Sequence, residues 1–128
     1  MILNQYLKGR NFLTLIVILV FGYTLNAQDS PKESAYIDNK LVQIDSLINV
    51  GQYEQASKLI TTTLNTFSFK RNSEEQLSFE YRNARNYYGQ GNNEKAMEMF
   101  NKVAMEHPDS EEGKQALKFR KFLKEQKK

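Results

Sequence analysis

The chain contains no cysteine. This absence excludes a disulfide framework, a thiolate metal site and a thiol nucleophile. It also excludes the lipid-bearing cysteine that bacterial lipoproteins carry after their export signal. Histidine occurs once, at His107, directly before Pro108, so no histidine pair is present to hold a metal, and a lone imidazole at a helix end has a structural role as its plain expectation. The adjacent carboxylates Glu74-Glu75 and Glu111-Glu112 point about 100° apart on a helix and do not converge on one substrate. They suit helix first turns, where acids favour the dipole. Gly89-Gln90-Gly91 has no strand before it and no Gly-Lys-Ser/Thr after it, so it reads as an interhelical turn and not a phosphate loop. No stretch alternates with period two for long enough to build a sheet. With no convergent set of titratable groups, the sequence predicts a chain that is not an enzyme and that needs no cofactor and no metal.

One long apolar run is present, over residues 12–25. Lys8 and Arg10 precede it with no acidic residue. Leu25-Asn26-Ala27 follows it with a small residue at a candidate cut before Gln28. These are the three parts of a secretory signal. A membrane-spanning helix needs roughly 20 apolar residues, more than this run supplies before Gly22 and Asn26 close it. Residues 1–27 are therefore expected to be a signal peptide, with a retained N-terminal anchor over 12–25 as the alternative. On the first reading the protein is exported and, after cleavage near Ala27, periplasmic or secreted.

The formal charge is +3 in 128 residues, and the mean hydropathy is −0.65. Residues 114–128 hold seven basic side chains against the single acid Glu125, whereas residues 28–113 hold nine bases and fourteen acids. The body is mildly acidic and its last helix basic. A solvated face with cations near a helix C-terminus accounts for this; contact with an anionic surface or an acidic partner is the sharper alternative. Nucleic acid is not expected as a partner of an exported chain with a near-neutral mature charge.

Residues 28–35, with Asp29-Ser30-Pro31, read as a linker. From there the apolar spacing is helical. Ile37, Leu41, Ile44, Leu47 and Ile48 share one face, and so do Tyr53, Ala56, Leu59, Ile60, Thr63, Leu64 and Phe67. Ser73 and Gln76 fit a capping box ahead of a third helix carrying Leu77, Tyr81, Ala84, Tyr87 and Tyr88. Asn92 or Asn93 caps a fourth, with Ala96, Met97, Met99, Phe100, Val103 and Ala104. Asp109 or Ser110 caps a fifth, with Ala116, Leu117, Phe119, Phe122 and Leu123. Two segments repeat without gaps: Gly51-Gln52-Tyr53-Glu54-Gln55-Ala56 and Gly91-Asn92-Asn93-Glu94-Lys95-Ala96, each with a large apolar residue four after the alanine, Ile60 and Phe100. An internal repeat of helical hairpins indicates a solenoid.

The second unit resembles a tetratricopeptide repeat (TPR) in Ala84, Tyr87, Gly91, Ala96, Phe100 and Pro108, at that family's spacing. The first unit resembles it in Gly51, Tyr53, Ala56 and Ile60. It departs from the pattern at Gln43, where the family usually has leucine, and in lacking a closing proline. Its 40-residue period exceeds the family's 34, and the surplus is expected in the 67–73 connection. The Pro108-Asp109-Ser110 joint resembles those of bacterial envelope proteins with this repeat, which often act as scaffolds or assembly adaptors. The Ala27-Gln28 junction resembles export signals common among the Bacteroidetes. Gly113 stands where such proteins commonly have alanine.

The resemblance implies an all-α fold of antiparallel TPR-like helix pairs, a short α-solenoid with a C-terminal capping helix. The domain would span 36–126, with units at about 36–67 and 74–107 and the capping helix at about 110–126. It further implies a concave groove lined by the first helix of each pair. By position that groove takes Asp38, Leu41, Asp45 and Asn49 from the first unit and Ser78, Tyr81, Arg85 and Tyr88 from the second. Tyrosine and arginine are favoured interface anchors, although the tyrosines equally suit packing within the repeat. Family members that clamp a C-terminal carboxylate use lysines and asparagines here, and Asp45 departs from them, so that clamp is not expected. The expected role is a protein–protein interaction module holding a segment of another envelope protein. The alternatives are a self-associating structural protein, or a membrane-tethered adaptor whose lipid contact depends on retaining the N-terminal helix.

Overall fold

The computed structural model describes residues 31–69 and 73–126. The proposed signal segment and the candidate cut at Ala27 lie outside the described residues. The chain divides into two units, Met1–Ser34 and Ala35–Lys128. Of the first, only the turn of helix over 31–34 is described.

Five α-helices run in sequence among the described residues: α1 Pro31–Asn49, α2 Tyr53–Thr66, α3 Glu74–Gly89, α4 Asn93–Glu106 and α5 Glu111–Glu125. No strand occurs among them. The fold is all-α, with helices packed in adjacent pairs as in a helical repeat. The linker expected over 28–35 is corrected from Pro31 onward, because helix α1 begins there. Proline disrupts helix interiors but is at home at the first helical position, where its fixed φ suits the helix and no partner is needed for an N–H.

The two intra-pair turns are alike to the hydrogen bond. At the first, Gly51 N–H donates to the Ile48 carbonyl (3.1 Å) and Gln52 N–H to that of Leu47 (2.8 Å); at the second, Gly91 donates to Tyr88 (3.0 Å) and Asn92 to Tyr87 (2.9 Å). Both glycines are left-handed, at φ 79° and 77°. This Schellman pattern closes a helix with a residue that only glycine occupies without strain, and the three-residue turns that result set consecutive helices antiparallel. Helix α2 starts without a side-chain cap, whereas α3, α4 and α5 each start on one. Asn92, and not Asn93, accepts from Lys95 N–H (3.1 Å); Ser110, and not Asp109, accepts from Gly113 N–H (2.9 Å). Ser73 accepts from Gln76 N–H (3.2 Å), while the Gln76 amide donates onward to Glu80 (3.1 Å).

Two apolar clusters fill the stack. The first joins Ile37, Ile44 and Ile48 of α1 to Ala56 and Ile60 of α2 and Phe79 of α3. The second joins Leu77 and Ala84 of α3 to Ala96, Phe100 and Val103 of α4 and Ala116 and Leu123 of α5. Ala84 and Ala96 are fully buried, as is Phe100, which stacks on Phe119 at 4.8 Å. Small residues on facing helices thus let a large ring fill the gap between them. Helix α3 is shared: Leu77 and Ala84 face one cluster, Phe79 and Asn86 the other side. Asn86 is fully buried and donates to the Tyr53 carbonyl (3.0 Å) and the Ser57 hydroxyl (2.7 Å), fastening α3 to the first turn of α2.

The surplus of the first period falls in two places. The α2–α3 joint has seven residues (67–73) against four (107–110) in the α4–α5 joint, so the 67–73 connection holds only part of the extra length. The remainder is the first turn of α3, which begins three residues earlier in its repeat than α5 does.

Candidate functional site

Successive first helices of the repeat touch through equivalent positions. Asp45 on α1 and Arg85 on α3, 40 residues apart, pair at 2.6 Å. Ser78 on α3 and Glu112 on α5, 34 residues apart, hydrogen-bond at 2.8 Å. The side chains predicted for the groove therefore lie along α1 and α3, and α5 extends the row.

A half-buried ionic cluster occupies the α1–α3 end. Asp45 takes two guanidinium groups at once. Arg82 donates from Nε (3.0 Å) and Nη2 (2.8 Å) to Oδ2, and Arg85 donates to Oδ1 (2.6 Å). Arg85 also donates to the Asn49 side chain (3.2 Å), and Arg82 to the Ser78 carbonyl (3.1 Å). Two cations on one anion leave the cluster with an excess positive charge, while three donor atoms of Arg82 and two of Arg85 are engaged inside the protein. Asp45 holds the place that an incoming carboxylate would take between these arginines, which gives its departure from the carboxylate-clamp pattern a physical basis.

Aromatic side chains occupy the α3–α5 end. Tyr81 lies 5.9 Å from the Phe100 ring. Tyr88 lies 5.9 Å from Phe119 and meets Phe122 edge-on at 6.3 Å, both favourable ring geometries. Burial pushes the Tyr81 phenol above its usual value of 10.0, against the opposing pull of Arg85 and Arg82. It therefore remains a neutral hydroxyl at physiological pH.

Of the eight predicted groove residues, Arg85 bonds both Asp45 and Asn49, and Ser78, Tyr81 and Tyr88 continue the row on α3. Asp38 is exposed on α1, and no hydrogen bond or ion pair joins it to the rest. Leu41 is half-buried against the first apolar cluster, so its role there is largely packing. The predicted groove set leaves out Arg82, and it leaves out Glu112, Phe119 and Phe122, which the sequence places only as a first-turn acid and as apolar residues of the fifth helix. A signal for the last three existed: Ser78, Arg85 and Tyr88 advanced by the 34-residue offset fall on Glu112, Phe119 and Phe122. The repeat-structural residues Gly51, Ala56, Ile60, Ala84, Gly91, Ala96 and Phe100 sit at turns or in the core as described, Tyr87 packs against the second cluster, and Pro108 lies in the α4–α5 joint.

Other features carry little chemistry. A shallow cavity of about 360 Å³ is lined by Leu64, Phe67, Ser68, Phe69 and Gln76, none of them titratable. Among the described residues no group of three or more His, Asp or Glu is placed to hold a metal ion, and no helix is long and apolar enough to cross a membrane. No protein-family model matches the chain, and neither a curated protein nor a solved structure matches it.

Proposed function

We infer that this chain is an exported interaction module of tetratricopeptide type, which holds a segment of another envelope protein across the aligned faces of α1, α3 and α5. The observation that carries the reading is the continuity of that row. It runs from the Asp45–Arg82–Arg85 cluster to the Tyr88–Phe119–Phe122 aromatics, and it joins side chains at equivalent repeat positions. A surface combining Tyr, Arg and Phe side chains, half-buried and held in place by one another, offers large area at small ordering cost. Matching Schellman turns at Gly51 and Gly91, with Ala56 and Ala96 both fully buried, support the repeat family. Export rests on the N-terminal charge and apolar pattern alone. A non-catalytic role rests on the lack of a convergent titratable set in the sequence.

The test is crosslinking pull-down from the native envelope with the full-length chain, comparing the parent with Tyr81→Ala/Tyr88→Ala. These positions spare the ionic cluster that ties α1 to α3. The expected result is loss of the crosslinked partner with helical circular dichroism retained. Undiminished crosslinking by a folded double variant removes the groove from consideration. N-terminal sequencing of the product recovered from the envelope tests export: a chain beginning at Gln28 supports cleavage, and a chain retaining residues 12–25 supports the tethered adaptor.

A further inference from the structure

We propose that the outer edge of α5 docks an acidic polypeptide segment that carries one aromatic or large aliphatic side chain. The proposal rests on the groove reading above and names the chemistry of the partner. Lys114, Lys118, Lys121 and Lys124 are all exposed. At about 100° per residue, Lys114, Lys118 and Lys121 fall on one stripe, about 10 Å long at 1.5 Å per residue. None of the four lysines forms an ion pair with a described residue. Beside the stripe, one turn after Lys118, stands Phe122, 43% exposed. Its ring meets Tyr88 at the end of the groove, so a segment lying along the groove runs off its aromatic end onto these lysines.

The stripe also lies where the repeat would place packing residues, and a polar face there keeps that side of α5 solvated. The offset of 34 residues that relates Ser78 to Glu112 puts Lys118 and Lys121 where α3 has Ala84 and Tyr87, residues that pack within the second cluster. Solvation of such a face asks only for polarity, however, and mixed charges meet that need. Elsewhere in the stack two lysines are matched with acids, Lys95 with Glu98 at 2.8 Å and Lys102 with Glu80 at 2.8 Å, and Lys40 is held by Gln43 and the Tyr36 ring; no other helix carries a row of lysines on one stripe. On α5 like charges recur three and four residues apart, a spacing that works against the helix. An uncompensated row of cations beside an uncovered ring is complementary to carboxylates next to an apolar anchor.

The same stripe is less suited to a lipid surface. Interfacial helices need a broad apolar face. On α5, Ala116 and Leu123 are buried in the second cluster, and Phe119 is stacked on Phe100. That leaves Phe122 as the exposed ring available for insertion.

Fluorescence anisotropy with the full-length chain tests the proposal. The probe is a labelled synthetic peptide with one phenylalanine followed by alternating glutamates. Control peptides carry alanine for the phenylalanine, or lysines for the glutamates. The parent should bind the first probe and neither control. Lys118→Glu/Lys121→Glu should weaken binding at least about tenfold and flatten its salt dependence. Phe122→Ala should weaken it about tenfold. The substituted side chains are exposed, and unchanged circular dichroism verifies the fold. Four results overturn the proposal: no binding of the first probe by the parent; equal binding by the charge-reversed variant; equal binding of the alanine peptide; or preferential binding to anionic phospholipid vesicles, which makes the stripe a lipid contact. Tyr81 is untouched by these changes. Their failure alongside a positive Tyr81/Tyr88 crosslinking result sinks only this proposal and leaves the groove standing.

Discussion

Replacing Gly113 with alanine sets two effects against each other. Alanine is the better helix former by about 1 kcal/mol in a helix interior, and alanine is common at this position in the proteins this joint resembles. On propensity alone the substitution stabilises. The α4–α5 joint argues otherwise. A Cβ built on Gly113 overlaps the His107 carbonyl oxygen, lies 2.8 Å from the carbonyl carbon and comes within 3.0 Å of the Ser110 hydroxyl. The atoms in the way are mostly backbone, and they are tied down. The His107 carbonyl accepts from Ser110 Oγ (2.8 Å) and from Ser110 N–H (3.2 Å), and the same hydroxyl accepts from Gly113 N–H (2.9 Å). Making room lifts the first turn of α5 off the joint. The Ser110 cap is then lost, at about 1 kcal/mol, and overpacking strain adds about 1–3 kcal/mol. Set against the propensity gain, Gly113→Ala should destabilise by about 1–3 kcal/mol. For a domain of this size that lowers the thermal midpoint by roughly 5–20 °C. The measurement is thermal unfolding followed by far-ultraviolet circular dichroism. Gly51→Ala serves as a reference, since its Cβ meets nothing and it bears only the left-handed strain of about 1–2 kcal/mol. A Gly113→Ala chain as stable as its parent, or more so, refutes the steric account of the joint.

Two further outcomes follow from the same geometry. The Tyr81 phenol is raised above 10.0 by burial, so the folded chain keeps its proton where the unfolded chain has released it. This contribution is present in full below about pH 10 and is lost as pH rises through the folded value; in Tyr81→Phe the unfolding midpoint should fall less steeply above that pH, and an identical slope in both proteins would contradict the assignment. Lys118→Ala/Lys121→Tyr copies the α3 residues Ala84 and Tyr87 onto α5. The variant should sediment heavier than its parent at equal concentration, because an uncovered apolar face seeks another copy, and unchanged sedimentation would show that these lysines do not keep this face of α5 from associating.

Much of the helix pattern was open to sequence reading because it depends on local chemistry. Gly51 and Gly91 are punctuation that few other residues can supply, and Ser73, Asn92 and Ser110 cap by reaching three residues along their own chain. What escaped reading was non-local. Phe79 and Asn86 were passed over because they lie about 160° around α3 from Leu77 and Ala84, at 100° per residue. A search for one apolar stripe finds one face, and α3 is packed on two. Arg82 escaped because nothing local marks its partner Asp45, 37 residues away. Pro31 misled for the opposite reason: a residue that breaks helices in their interior begins one here.

The sequence by itself determined the all-helical class, the two glycine turns, the repeat and the basic bias of the last helix, since each follows from spacing, φ preference or charge within one or two turns of chain. Tertiary structure alone decided that the 40-residue and 34-residue offsets bring Asp45 to Arg85 and Ser78 to Glu112. It also decided that the α5 rings Phe119 and Phe122 meet Tyr88 of α3, and that Gly113 has no room for a methyl group. Those outcomes depend on how closely helices distant in sequence approach one another, a distance set by the packing of Ile44, Ile48 and Phe79 on one side of α3 and of Ala84, Ala96 and Phe100 on the other, rather than by any residue's own preference.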